Sequence, residues 1–320
     1  MKIWFFKREL QLGDYVYADG STSDLIRKDK TIVGVCFYID PDDRSHRLCV
    51  APKALTAYPW GLYSTNWSEG ITLADSPGYN VFDVPTLTNK IVGAGITISA
   101  TNYRDETSAG DGDGFAFQAA STALGELGWE ELTSQLGGYP EGTKLPWGLI
   151  NTLKIIAHRN IILSDTNINL PQPQKIGNQS KLDNLIQLIR DVVSNNSNAA
   201  KYQQFYYPPA SQCNAYEPSV KAEEPLDERF KAGKWFLPSA GELVRLYWWH
   251  SHNKLQEEVT NGIFAKHIAE GVFTALTANL HWSSTEYNTT YTWGINFSSG
   301  FFTYSTKSST SPPVIAVCAF

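Results

Sequence analysis

Apolar and polar positions alternate in a few short, well-bounded runs. Thr-Ile-Val-Gly-Val-Cys-Phe-Tyr-Ile over 31–39 is β-branched and aromatic. Asp40-Pro41-Asp42-Asp43 breaks it, and Arg47-Leu48-Cys49-Val50-Ala51 answers it. Strand, polar turn and strand predict a hairpin. Asp14-Tyr15-Val16-Tyr17, ahead of a turn at Asp19-Gly20-Ser21, predicts a shorter strand before it. Helical spacing appears at 149–163, through Leu149, Ile150, Leu153, Ile156 and Ile161-Ile162. It appears again at 181–194, through Leu182, Leu185, Ile186, Leu188, Ile189 and Val192-Val193. Ser239-Ala240-Gly241-Glu242 has the capping-box spacing and opens a helix with Leu243, Leu246, Tyr247 and Trp249 on its apolar face. A further helix is expected over about 263–276. The last forty residues carry no helix signal and end in Val314-Ile315-Ala316-Val317-Cys318-Ala319-Phe320, a buried strand.

Composition sharpens this to a chain of sheets and loops. Hydrophobic residues are 42% of the 320 and charged residues only 18%, with 10 Trp, 16 Tyr and 15 Phe against one Met. That content supports a sizeable core and excludes global disorder. A net charge of -6 with no Lys/Arg block argues against nucleic acid or anionic membrane as partner. No apolar run is long enough to span a bilayer. The apolar start, Ile3 to Phe6, is too short for a signal-peptide core, so the expected location is the cytoplasm or a virion; a signal removed beforehand would place the protein at a cell surface. Four cysteines do not make a disulfide scaffold. Cys36 and Cys49 lie on the two arms of the predicted hairpin, and their disulfide state is left open.

Four landmarks recur in order. They are Gly34-Val35-Cys36-Phe37-Tyr38-Ile39 with Leu48-Cys49-Val50-Ala51 and Trp60-Gly61; Ala210-Ser211-Gln212-Cys213; Lys234-Trp235-Phe236-Leu237-Pro238-Ser239-Ala240-Gly241-Glu242-Leu243; and Trp282-Ser283-Ser284-Thr285-Glu286 with the Val314–Phe320 ending. In these the chain resembles the bacterial and phage branch of the C-type-lectin fold, most of all the variable proteins of diversity-generating retroelements and their non-varying relatives in gut bacteria. The resemblance covers about 13–61 and 146–320. It implies an α+β, C-type-lectin-like (formylglycine-generating-enzyme-like) fold with N- and C-terminal strands paired and elaborated by inserts. Here that means a tail at 1–12 and one domain over 13–320. A Gly/Ser/Thr-rich insert fills about 62–145, after which Trp147-Gly148 re-enters the core.

The segment 287–313 carries the functional expectation. Its 27 residues hold six Ser, six Thr and seven aromatics, one charge (Lys307), and no Ala, Val, Leu, Asp, Glu or Arg. Rigid aromatics among small hydroxyls are the chemistry of an antibody paratope. In the family that the chain resembles, this stretch is diversified at template adenines, a route that never yields Lys, Glu, Gln, Met or Trp; only Trp293 and Lys307 fall outside what it yields. The expected ligand-binding residues are Tyr287, Thr289, Tyr291, Phe301, Phe302, Tyr304 and Thr306. Alternation sends Trp293, Ile295 and Phe297 to the core and turns Gly294 and Asn296 outward. Trp235, Trp282, Glu286, Trp293 and Phe297 are expected as scaffold.

Catalytic and metal chemistry find less. Gly110-Asp111-Gly112-Asp113-Gly114 lacks the later bidentate Glu of a calcium loop. Two His at 250 and 252 point to different helix faces. The sugar-binding calcium motifs of animal C-type lectins are absent, and 287–313 contains no His, Cys, Asp or Glu for acid–base work. The expectation is a non-enzymatic protein with no cofactor and no metal. It binds a protein or glycan on a cell surface and is phage or prophage tail-associated. The alternatives are an enzyme of formylglycine-generating type, which Cys318 alone at the end of a strand does not support, or another enzyme on the same fold, and a fimbrial or cell-surface structural subunit.

Overall fold

The computed structural model describes residues 8–40, 44–61, 118–119, 144–149, 151–153, 155–156, 207–251, 264–276, 280–286, 291–307, 309 and 312–320. Most of the insert, the 181–194 helix, the 110–114 loop, and the candidate residues Tyr287 and Thr289 lie outside the described residues; for Glu286 only the backbone is described. The architecture is mixed α and β with antiparallel sheets.

The first sheet joins N-terminal strands to the last strand of the chain and to one from residues 235–236. β1 (Tyr15–Tyr17), β2 (Thr22–Ser23), β3 (Ile32–Ile39) and β4 (Arg47–Val50) come from the N-terminal part. β7 (Trp235–Phe236) and β11 (Val317–Ala319) complete the order β2-β1-β3-β4-β11-β7. The predicted hairpin is β3–β4, and β11 pairs antiparallel with its second arm. Two short strands, β5 (Gln118–Ala119) and β6 (Lys144–Leu145), pair with each other.

Period-2 alternation divides the core into two clusters, one on each side of this sheet. Tyr15, Tyr17, Val35, Phe37, Leu48, Val50, Phe236 and Val317 belong to one. Val16, Cys36, Cys49, Trp235, Ala316 and Cys318 belong to the other. Strict alternation fails inside β3, where the register shifts twice. A bulge adds one residue to a strand and flips the parity that follows. This is why Val33 and Val35 have equal parity yet enter different clusters.

The described helices are α1 (Pro208–Ala215), α2 (Ala240–Ser251) and α3 (Ala265–Ala269). Helical residues also occur at 147–149, 151–153 and 155–156. The helix expected over 263–276 is a single turn and more, stopped at Gly271, whose φ of +71 lies in the left-handed region. α2 starts as its capping box predicts. Ser239 N–H donates to Glu242 Oε2 (2.9 Å) and Glu242 N–H donates back to Ser239 Oγ (3.2 Å). Farther along α2, His250 Nε2 accepts from Leu276 N–H at 3.1 Å.

Candidate functional site

The second sheet has the order β10-β9-β8, from β8 (Leu280–Glu286), β9 (Tyr291–Asn296) and β10 (Phe302–Thr306). β8 carries the Trp-Ser-Ser-Thr-Glu sequence and shows what those hydroxyls are for. Its register against β9 shifts between Trp282 and Glu286, which takes backbone groups out of the ladder. Ser283 Oγ donates to Trp293 O (2.8 Å) and accepts from Thr285 N–H (3.2 Å); Thr292 Oγ1 donates to Thr285 O (2.7 Å). Thr285 Oγ1 accepts the first N–H of α2, at Ala240 (3.0 Å), and Ser284 N–H donates to Pro238 O (2.8 Å). Asn151 Nδ2 donates to Ser284 Oγ at 3.3 Å. The strand, the helix start and the 147–156 stretch are thereby joined through buried hydrogen bonds, the arrangement that costs most to break.

Two tryptophans lock this frame to the first sheet's connections. Trp60 Nε1 donates to Ser283 O (2.8 Å), and Trp282 Nε1 donates to Tyr58 O (3.1 Å). Glu242, at the start of α2, is buried and its carboxylate accepts from Ser239 and Gly148 N–H. Burial pushes its pKa up to about 7, against the pull of those backbone hydrogen bonds. Gly148 packs so closely on Glu242 and on the Leu237–Ser239 backbone that a Cβ there would overlap all three.

On this frame β9 and β10 form a hairpin with unbroken register. Asn296 Oδ1 accepts from Ser298 N–H and Oγ and from Ser299 N–H, and Gly300 (φ +71) closes the turn. Asn296 N–H donates to Phe301 O (3.0 Å). Phe302 then stands opposite Ile295, Tyr304 opposite Trp293, and Thr306 opposite Tyr291. All six therefore share one face. Phe302 stacks on Trp293 (4.8 Å, 14°), and Tyr304 meets Trp293 (5.7 Å, 83°) and Tyr291 (5.1 Å, 66°) edge-on.

Burial grades along that face. Ile295 and Phe297 are buried in the first core cluster, Phe302 packs half-buried against that cluster, and Trp293 is buried against Phe302. Tyr291 and Thr306 are half-buried. Tyr304 is 45% exposed. Phe301, across from Asn296 at the turn and off the parity of that face, is 65% exposed. The segment's one charge turns inward: Lys307 is fully buried with its ammonium 4.9 Å from the centre of the Trp60 ring. Gly294, expected outside, is buried, because its missing Cβ admits the His281 carbonyl and the Leu280 side chain. Trp235 and Trp282, expected as scaffold, are fully buried. Sequence reasoning did not find Lys307 and Trp60 as a pair, since 247 positions separate them and a lone Lys in a polar segment looks like a solvated one.

Among the described residues no group of three or more His, Cys, Asp or Glu side chains is arranged to hold a metal ion, and no helix is long and apolar enough to cross a membrane. No family model, curated protein or solved structure matches the chain.

Proposed function

We propose that this is a non-enzymatic binding protein in which a C-type-lectin-like scaffold displays 287–313 as a recognition surface for a protein or glycan on a cell surface. In this reading it belongs with the retroelement variable proteins and their non-varying relatives, in a phage or prophage tail setting. One observation carries the reading: two aromatics, Phe301 and Tyr304, stand exposed on a hairpin whose single charge is buried. An exposed aromatic is costly to leave in water, and aromatics at the centre of a contact carry most of its energy. Tyr304 is also held by two ring contacts, so little freedom is lost when a partner covers it.

Labour is divided by position. Trp293, Ile295 and Phe297 hold the hairpin to the core; Phe301, Phe302, Tyr304, Tyr291 and Thr306, with Tyr287 and Thr289, meet the partner. Hydroxyls between the aromatics supply adaptable hydrogen bonds. The test is adsorption of labelled protein to a panel of intact bacterial cells, repeated with Phe301→Ser/Tyr304→Ser. Adsorption to particular strains that falls at least tenfold in the double variant is expected; equal adsorption by the variant overturns the assignment. Diversification is tested in the neighbouring DNA, where a reverse-transcriptase gene and a near-copy of the 3′ coding end differing at adenines are expected.

A further inference from the structure

The first sheet lines up three thiols. Cys36 on β3, Cys49 on β4 and Cys318 on β11 are register partners in two successive ladders, Cys36 opposite Cys49 and Cys49 opposite Cys318. All three lie on the same side of the sheet, in the second core cluster, fully buried and unbridged. Cys49 thus has a thiol neighbour on each side, and the backbone hydrogen bonds distinguish the two.

Ala51 N–H donates to Ala316 O (2.9 Å) and Phe320 N–H to Arg47 O (3.2 Å). These pairs stand two steps either side of Cys49 and Cys318. In an antiparallel ladder hydrogen-bonded pairs recur every second residue, so Cys49/Cys318 is itself a hydrogen-bonded pair. Cys36 spends both its backbone groups on the opposite side: its N–H donates to Asp14 O (2.9 Å) and its C=O accepts from Gly13 N–H (2.7 Å). Cys36/Cys49 is therefore a non-hydrogen-bonded pair. Such pairs hold Cα atoms about 4.5 Å apart and side chains closer than hydrogen-bonded pairs, whose Cα atoms are about 5.5 Å apart. A disulfide needs Cβ atoms at roughly 3.5–4.5 Å, which favours the closer pair.

We infer that Cys36 and Cys49 form a redox site: when the chain folds in the presence of a low-molecular-weight disulfide they close into a cross-strand bond, with Cys318 left as a thiol beside it. The step balances. The Cys49 thiolate attacks the small disulfide and expels one small thiolate. The Cys36 thiolate then attacks Cys49 Sγ and expels the second. Two protein thiols are oxidised to one disulfide, one small disulfide is reduced to two thiols, and the two protons end on the expelled thiolates. Closure belongs to folding. In the folded protein the sulfurs are out of solvent, and burial holds the Cys36 and Cys49 thiols well above their ordinary range, so the attacking thiolate is scarce. The bond would pin the hairpin on which β11 is laid.

The experiment refolds reduced, urea-unfolded chain into a mixture of oxidised and reduced glutathione, blocks remaining thiols at acid pH, and maps tryptic peptides without reduction. The three sulfurs fall in separate peptides, 31–44, 48–53 and 308–320. The expected result is 31–44 joined to 48–53, with 308–320 carrying the blocking group. A join between 48–53 and 308–320, or three blocked peptides, overturns the inference. In parallel, protein folded under reducing conditions and then given the same mixture is expected to yield three unjoined peptides. Joining at the refolding rate would show that closure does not depend on folding and would overturn that part.

Discussion

Tyr304 stands directly opposite Trp293 in the β9–β10 ladder, one 45% exposed and the other buried, their rings 5.7 Å apart and nearly perpendicular. The same sheet face is thus core at one end and surface at the other, and the exposed ring is braced by the buried one. A partner that covers Tyr304 meets a surface whose geometry is set before it arrives.

Stability should follow that gradient. Trp293→Ala and Phe297→Ala delete buried rings and should each cost about 3–5 kcal/mol. Phe301→Ala and Tyr304→Ala should cost under about 1 kcal/mol, as surface changes do. Phe302→Ala falls between, at about 1–3 kcal/mol, because its stacking on Trp293 and its half-buried area are both lost. Urea melts of the five variants give the order directly; Phe301 or Tyr304 ranking with Trp293 would contradict it.

Gly148→Ala should be severely destabilising, by about 2 kcal/mol or more. A methyl group at that site meets the Glu242 carboxylate and backbone atoms of 237 and 239, which have no room to retreat. Gly233→Ala, where a Cβ meets nothing within 4 Å, is strained only by its φ of +91 and should cost less. Equal midpoints for the two variants would argue against the close packing of the 147–156 stretch on the start of α2.

Two buried groups give stability opposite pH slopes. The Glu242 carboxyl is raised from 4.5 to about 7 by burial, so the folded chain holds a proton that the unfolded chain releases between those values. Stability from this group falls as pH rises through that window, by on the order of 3 kcal/mol in full. His250 is lowered from 6.5 to about 4, first by burial and then by the nearby His281. Here the unfolded chain takes up the proton first, so stability is lost as pH falls from 6.5 towards 4. Glu242→Gln should flatten the loss between pH 5 and pH 8, and chemical denaturation at the two values measures it. An unchanged slope would contradict a neutralised Glu242.

β1, β3, β4 and β11 were legible because each lies in a short β-branched or aromatic run, and the capping box told where α2 begins; β2, β5, β6 and β7 are two residues long, too short for a period to show. What the sequence concealed depends on register. Parity within β9 separates Trp293 from Gly294, but only the pairing across the 297–300 turn brings Tyr304 onto the Trp293 side. The bulges in β3 and β8 likewise leave no local signal, so the Ser283 and Thr285 hydroxyls gave no sign that they replace ladder hydrogen bonds. Gly294 was placed outside because parity says nothing about a carbonyl that approaches a missing Cβ.

Recognition of a partner by the aromatics of the β9–β10 hairpin is read out by calorimetric alanine scanning against a bound cell-surface component. At least two of Tyr287, Tyr291, Phe301, Phe302 and Tyr304 should each contribute about 2 kcal/mol or more to affinity, with Ser and Thr neighbours contributing less. If all five are truncated without loss while changes within 62–145 abolish binding, recognition lies in that insert and not in the hairpin.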